Sequence, residues 1–321
     1  MLKLTYSLLL IIGGLVIGQI IYIWSKRISE DNIQKMNKAI YIIRNIAFLG
    51  LAPVATLSAF WIVDLSSISI IIVPFIGLGA LVLGSVSAYL LARIFKHNRK
   101  EQGAMFCCGS SSNLGNIGSL LCFALFGEVG FAFSALYRLF EPLYLCLIVY
   151  PTAKTFSIEK KDERNNRLLR IIKDPIVLVY FTSIFVGFIL NFSGAPRPSF
   201  VTNLNSIIIP LTSFLLIVAI GYTMRLSKIS NYKKEIVGIS FIKYVLTPIV
   251  IISISLILNL DEIANGVLFK TIVVLCALPC GFNSLISTQM YKLDINLANS
   301  CWIVTTGLLV VVIPLIWIFI G

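Results

Sequence analysis

The chain has 321 residues, of which 58% are hydrophobic and only 12% charged, with a mean hydropathy of +0.95. Soluble domains usually carry about 25% charged residues, so a soluble protein is excluded and an all-α polytopic membrane protein is expected. The formal charge of +12 raises nucleic acid as a partner, but its distribution, given below, speaks for membrane lipid and against nucleic acid.

A membrane crossing needs roughly 20 apolar residues, and ten stretches qualify. They run over about 4–25, 39–62, 66–92, 102–126, 129–151, 172–193, 201–224, 235–258, 266–290 and 295–320. The first is uncharged from Leu4 to Ser25 and no small-x-small cleavage site follows it, so it is expected to be a retained span and not a signal peptide. The second and third carry Pro53 and Pro74, and Arg44 is expected to snorkel toward the interface.

The fourth span contains CCGSSSNLGNIGSL, with Ser112, Asn113 and Asn116 as polar groups and Gly115 and Gly118 as points of close approach or unwinding. The fifth holds Arg138 and Glu141, three residues apart and so on one helix face. Charges at membrane depth are costly and mark function by default. Two readings of them stand: a structural ion pair, or countercharge and proton coupling through Glu141. The stretch 152–171 is charged and short and reads as a linker. The eighth span carries Lys243, whose ammonium either snorkels to the cytoplasmic side or sits at mid-membrane and attracts a carboxylate. The ninth contains ALPCGFNSLIST. There Pro279 cannot donate a backbone hydrogen bond, and Asn283 follows it.

The basic residues set the orientation. Of the 26 Lys and Arg, 20 follow the odd-numbered spans, while Lys3 and Arg197 lie on the other side. Positive residues gather in the cytoplasm, which places both termini outside and the central linker inside, with the cell membrane as the expected location. Five spans on each side of the linker predict a first repeat over 1–151 and an inverted second over 172–321. Internal echoes agree: Pro53 with Pro210, Pro74 with Pro248, Pro142 with Pro314, and Asn113 with Asn283.

Taken singly, small residues in the fourth span are ordinary helix packing and Pro279 is an ordinary kink. Taken together, two interruptions at matched places point to a transporter's binding site, because freed backbone at membrane depth must line a cavity or be buried. The seven cysteines all fall in apolar segments and read as small packing residues. The lone His97 sits in a basic loop, so neither a metal site nor a cofactor is expected. Without a cluster of acids, bases or ligands the chain does not read as an enzyme, and without a P-loop it is not an ATP-driven pump.

At these residues a resemblance emerges. Asn113-Leu-Gly115-Asn-Ile-Gly118 is similar to the Asn-x-Gly-x-x-Gly signature of the auxin efflux carrier family, the PIN-like permeases. Ala277-Leu-Pro279 with Asn283, Gln289 and Tyr291 resembles that family's ninth span, and Pro210, Gly221, Lys243 and Pro248 resemble its seventh and eighth. The resemblance implies ten transmembrane helices as two inverted five-helix repeats, with helices 4 and 9 broken and crossing at mid-membrane. It also implies a scaffold part and a transport part, a homodimer, and export of a small organic anion by alternating access. The family often has a proline two residues beyond the second glycine. Here that position is Leu120, so the break in helix 4 is expected to rest on Gly115 and Gly118 alone. The substrate-binding residues are expected to be Ser112, Asn113, Gly115, Asn116, Gly118, Lys243, Pro279 and Asn283, with Arg138 and Glu141 for coupling or countercharge. The alternative is a sodium-coupled organic anion symporter of the bile-acid type, with the oxygens of the fourth span holding the sodium ion.

Overall fold

The computed structural model describes residues 2–28, 30–63, 68–157, 175–224 and 229–320. Most of the predicted linker 152–171 falls outside them; its first residues finish the helix Tyr150–Phe156. Among the described residues the chain is helical, apart from one isolated antiparallel bridge. Among the described residues, eight helical stretches are long and apolar enough to cross a membrane. Their outward faces carry exposed leucine, isoleucine, valine and phenylalanine, which only a lipid environment accommodates at this density. The chain is a multi-pass membrane protein.

Three places show how the predicted spans relate to the observed helices. The second begins at Glu30, not at residue 39; the added turns are amphipathic and too polar for a hydropathy criterion. The fourth and fifth follow one another in the helical stretch Leu114–Phe156 of 43 residues. That segment doubles back at Gly127, whose φ of 67° only glycine adopts readily. Ser134 Oγ donates to Ser119 Oγ at 3.0 Å, whereas fifteen residues of straight helix would hold them about 22 Å apart. The ninth is in two pieces, Val267–Cys276 and Asn283–Met290, each too short to cross alone.

The chain forms two compact units, each drawing on both halves of the sequence. The first comprises Met1–Leu65, Gly115–Ala135 and Ile172–Met224. Its main seam joins the helices Leu2–Ile28 and Phe200–Thr223. A side chain on Gly18 would fall 2.2 Å from the Val218 carbonyl oxygen, and one on Gly221 would fall 2.4 Å from that of Leu15. Gly14 and Gly18 thus form the small-xxx-small edge that lets membrane helices touch. Beyond it Tyr22 meets Tyr222 edge to face, and the Tyr222 hydroxyl donates to Asn37 at 2.8 Å. At the opposite end the Asn191 amide donates to the carbonyls of Phe60, Trp61 and Val63 at 2.9–3.0 Å, capping a helix end that would otherwise leave them bare. Arg197 grips Glu128 through two parallel hydrogen bonds just after the Gly127 reversal.

The seam yields a direct prediction. Gly18→Val should destabilise the purified protein by about 1–3 kcal/mol through overpacking, seen as a fall in melting temperature. Gly13→Val, where a side chain would meet nothing within 4 Å, is the matched control and should melt like the unaltered chain.

The second unit comprises Ser66–Leu114, Leu136–Ile171 and Arg225–Gly321. The helices Val73–Ile94 and Arg99–Ser110 meet at a glycine pair: a side chain on Gly109 would lie 2.2 Å from the Gly84 oxygen. Asn98 and Glu101 close a capping box at the start of Arg99–Ser110. His97, in the loop that joins these two helices, lies between Glu101 at 3.0 Å and Glu235 at 2.9 Å. Asp294 caps the helix Ile295–Ile320 through the Asn296 and Leu297 amides and accepts the Tyr232 hydroxyl. Burial and that carboxylate push the Tyr232 pKa up to about 12, so the phenol keeps its proton and remains the donor.

Candidate functional site

The helix Arg99–Ser110 is buried from Gly103 onward and stops at Ser111, whose φ of −126° and ψ of 140° are extended. Its last carbonyls lose their helical partners. The Ser110 hydroxyl takes up one of them, donating to Cys107 O at 3.0 Å. On the other side Val267–Cys276 ends at Ala277, and six residues pass before Asn283–Met290 begins. Pro279 lies among them and has no N–H to continue a helix.

The two interruptions complete one another. Ser112 and Cys280 form the antiparallel bridge. Gly281 N donates to Ser111 O at 3.0 Å, and Asn113 N donates to Pro279 O at 3.1 Å. Ser111 Oγ adds a bond to Gly281 O at 3.3 Å. Gly281 is required for this approach, since a Cβ there would stand 2.7 Å from the Ser112 oxygen. The expectation that helix 4 opens at Gly115 and Gly118 is corrected: it opens at Ser111–Asn113, ahead of both glycines. The cause is tertiary, because the backbone groups released there find partners across the bridge.

Lys243 lies in a π-helical turn, Ile242–Leu246, and is 2% exposed. Its ammonium donates to Gly109 O at 2.9 Å, Ser111 O at 2.8 Å and Ser112 Oγ at 2.9 Å. Of its two sequence readings, the structure places the charge at the interruption. Glu141 is buried at the head of the short helix Glu141–Tyr144. Its carboxylate faces Arg138 at 3.8 Å and has Asn283 and Lys243 as further neighbours.

The second unit therefore brings together Ser112, Asn113, Pro279, Asn283, Lys243, Arg138 and Glu141. Asn113 is 4% exposed, and its side-chain Nδ2 is a buried donor with no protein acceptor. Gly115, Asn116 and Gly118 follow in the π-helical turn Leu114–Gly118 and belong to the segment Gly115–Ala135 of the first unit. Six of the seven cysteines are buried and all are free. No group of three or more His, Cys, Asp or Glu among the described residues is placed to hold a metal ion.

Sequence reasoning missed the partners of His97 and the oxygens around Lys243. Glu101, four residues after His97, was a legible signal. The acceptors of Lys243 lie more than 130 residues away in the chain and left no local trace.

A model of the membrane transport protein family matches residues 37–318 of the chain. An uncharacterized transporter of Methanocaldococcus jannaschii is 26% identical over 244 residues, which covers 74% of this chain and 75% of that protein.

Proposed function

The chain belongs to the membrane transport protein family, the auxin efflux carriers and PIN-like permeases, and from that premise we propose that it is a secondary transporter exporting a small organic anion by alternating access. The observation that carries this reading is the pairing of two interrupted helices, backbone to backbone, beside a buried ammonium and an unpartnered amide donor. Such interruptions at membrane depth are tolerated where they serve a site. Asn113, Asn283 and the backbone around Ser112 and Pro279 offer donors to a carboxylate. Lys243 contributes its field, and Arg138 with Glu141 contributes coupling or countercharge.

The topology belongs to the same proposal: ten crossings in the cell membrane, as two inverted repeats over 1–151 and 172–321, with helices 4 and 9 crossing at mid-membrane. The reversal at Gly127 and the divided segment Val267–Met290 support that count. Both termini lie outside, the linker is cytoplasmic, and the protein works as a homodimer. The basic residues after odd-numbered spans support this orientation.

The test is a thermal-shift screen of mono- and dicarboxylates on purified protein, with sodium or choline and at two pH values. A ligand that binds the folded state raises its melting temperature by mass action. A subset of carboxylates should do so saturably. A flat response to every organic anion under all four conditions overturns the reading, and a response confined to sodium moves it to the symporter alternative.

A further inference from the structure

The helix Arg99–Ser110 ends inside the protein, and its C-terminal carbonyls make that end negative. Carbonyl and hydroxyl oxygens converging on such an end form the ordinary surroundings of a small cation. Here Gly109 O, Ser111 O and Ser112 Oγ converge within 2.8–2.9 Å of one point, and that point is Lys243 Nζ. These are oxygens of the fourth span, the ones a sodium-coupled reading assigns to a bound ion.

Three features make the arrangement specific. An ammonium has three protons, and each meets its own acceptor, so none remains to donate to a substrate carboxylate. Lys243 lies about 15 Å along its helix from Lys233, half of the roughly 30 Å hydrocarbon thickness, and its near-complete burial excludes snorkelling. The glycine pair Gly84 and Gly109 lets two helices touch and so carries the Gly109 oxygen into reach. A side chain on Gly84 would stand 2.4 Å from that oxygen and 3.7 Å from the ammonium. Glu141 is the acidic neighbour on another helix.

We propose that Lys243 is a tethered cation: its ammonium permanently fills a monovalent-cation site formed by Gly109, Ser111 and Ser112, so that the chain supplies the charge a coupled transporter takes from solution. The site is complete without sodium, and anion binding does not require that ion. Removing the side chain opens the site to an ammonium ion from solvent. Relative to alanine, the lysine side chain adds three methylenes and the ammonium, which is propylammonium in free form. The statement on anion binding rests on the transport reading above; the statement on the cation site does not.

Melting temperatures of the unaltered chain, Lys243→Ala and Lys243→Met are measured in choline chloride at constant ionic strength. Methyl-, ethyl-, propyl- and butylammonium and sodium are then titrated in. The unaltered chain should respond to none of them. Lys243→Ala should melt about 5 °C or more lower, as unsatisfied buried acceptors imply, and should recover saturably with an optimum at propylammonium. Lys243→Met, which fills the same space with an apolar chain, should show no rescue. Overturning results are an alanine variant that melts like the unaltered chain, rescue by no alkylammonium, or an equal response of the unaltered chain. An alanine variant that fails to fold in choline and again in propylammonium also counts against the proposal, since the opened site should take the amine. If carboxylates that stabilise the unaltered chain do so only with sodium, the tethered cation is refuted while the transporter stands. If no carboxylate binds at all but propylammonium rescues, the cation site stands and the transport reading falls.

Discussion

The double variant Asn113→Ala, Asn283→Ala is expected to bind organic anions at least about a hundredfold more weakly than the unaltered chain. Asn113 holds a buried donor for which the protein provides no acceptor, the form in which a ligand contact is left ready. Asn283 begins the helix Asn283–Met290 beside the Glu141 carboxylate. Hydrogen bonds to a charged group contribute about 1.5–3 kcal/mol each, and each 1.4 kcal/mol is roughly tenfold in affinity. Affinity from ligand-dependent melting, with uptake into proteoliposomes alongside, measures the loss. An undiminished affinity and rate in a folded double variant would remove both residues from the site.

Gly281→Val is expected to be the most disruptive single change in the second unit. The valine Cβ would stand within 2.7–3.1 Å of three backbone atoms of Ser112, and backbone cannot rotate out of the way as a side chain can. The Gly281 N to Ser111 O bond and the Asn113 N to Pro279 O bond would part together, leaving three peptide groups unsatisfied at membrane depth, since Ser111 O keeps the Lys243 ammonium. Such groups cost several kcal/mol each in a bilayer, so the variant should fail to yield monodisperse protein or should melt at least about 10 °C lower. Pro279→Ala should be far milder. It adds a donor but keeps the carbonyl that receives Asn113 N, and the bridge survives. Size-exclusion profiles and melting curves of the two variants side by side distinguish them.

How far these features could be read from the sequence depended on whether their cause was local. Apolar length is local, and it located the membrane helices well, down to the turn at residues 127–128 where Gly127 reverses the chain. The amphipathic turns from Glu30 were too polar to register as part of a span. The two interruptions were legible as composition: serines, asparagines and glycines in one, Pro279 and Asn283 in the other. The position of the first break was not. Nothing in Ser111–Asn113 alone forbids a helix; the extended backbone is held by residues 279–281. Lys243 likewise had two readings of equal standing until its acceptors, distant in sequence, selected one. The grouping into two units was inaccessible for the same reason, since each gathers segments from both halves.

The seam between Leu2–Ile28 and Phe200–Thr223 imposes an order on biogenesis. The Gly14–Gly18 edge enters the membrane with the helix Leu2–Ile28, but the helix that covers it lies about 200 residues downstream. At synthesis rates of about 5–20 residues per second, that edge waits roughly 10–40 s, open to lipid and to any other helix with small residues along one side. Its high hydropathy lets it wait stably in the bilayer. Its exposed groove makes this interval the period in which the nascent chain is most open to mispairing and to membrane-embedded quality control.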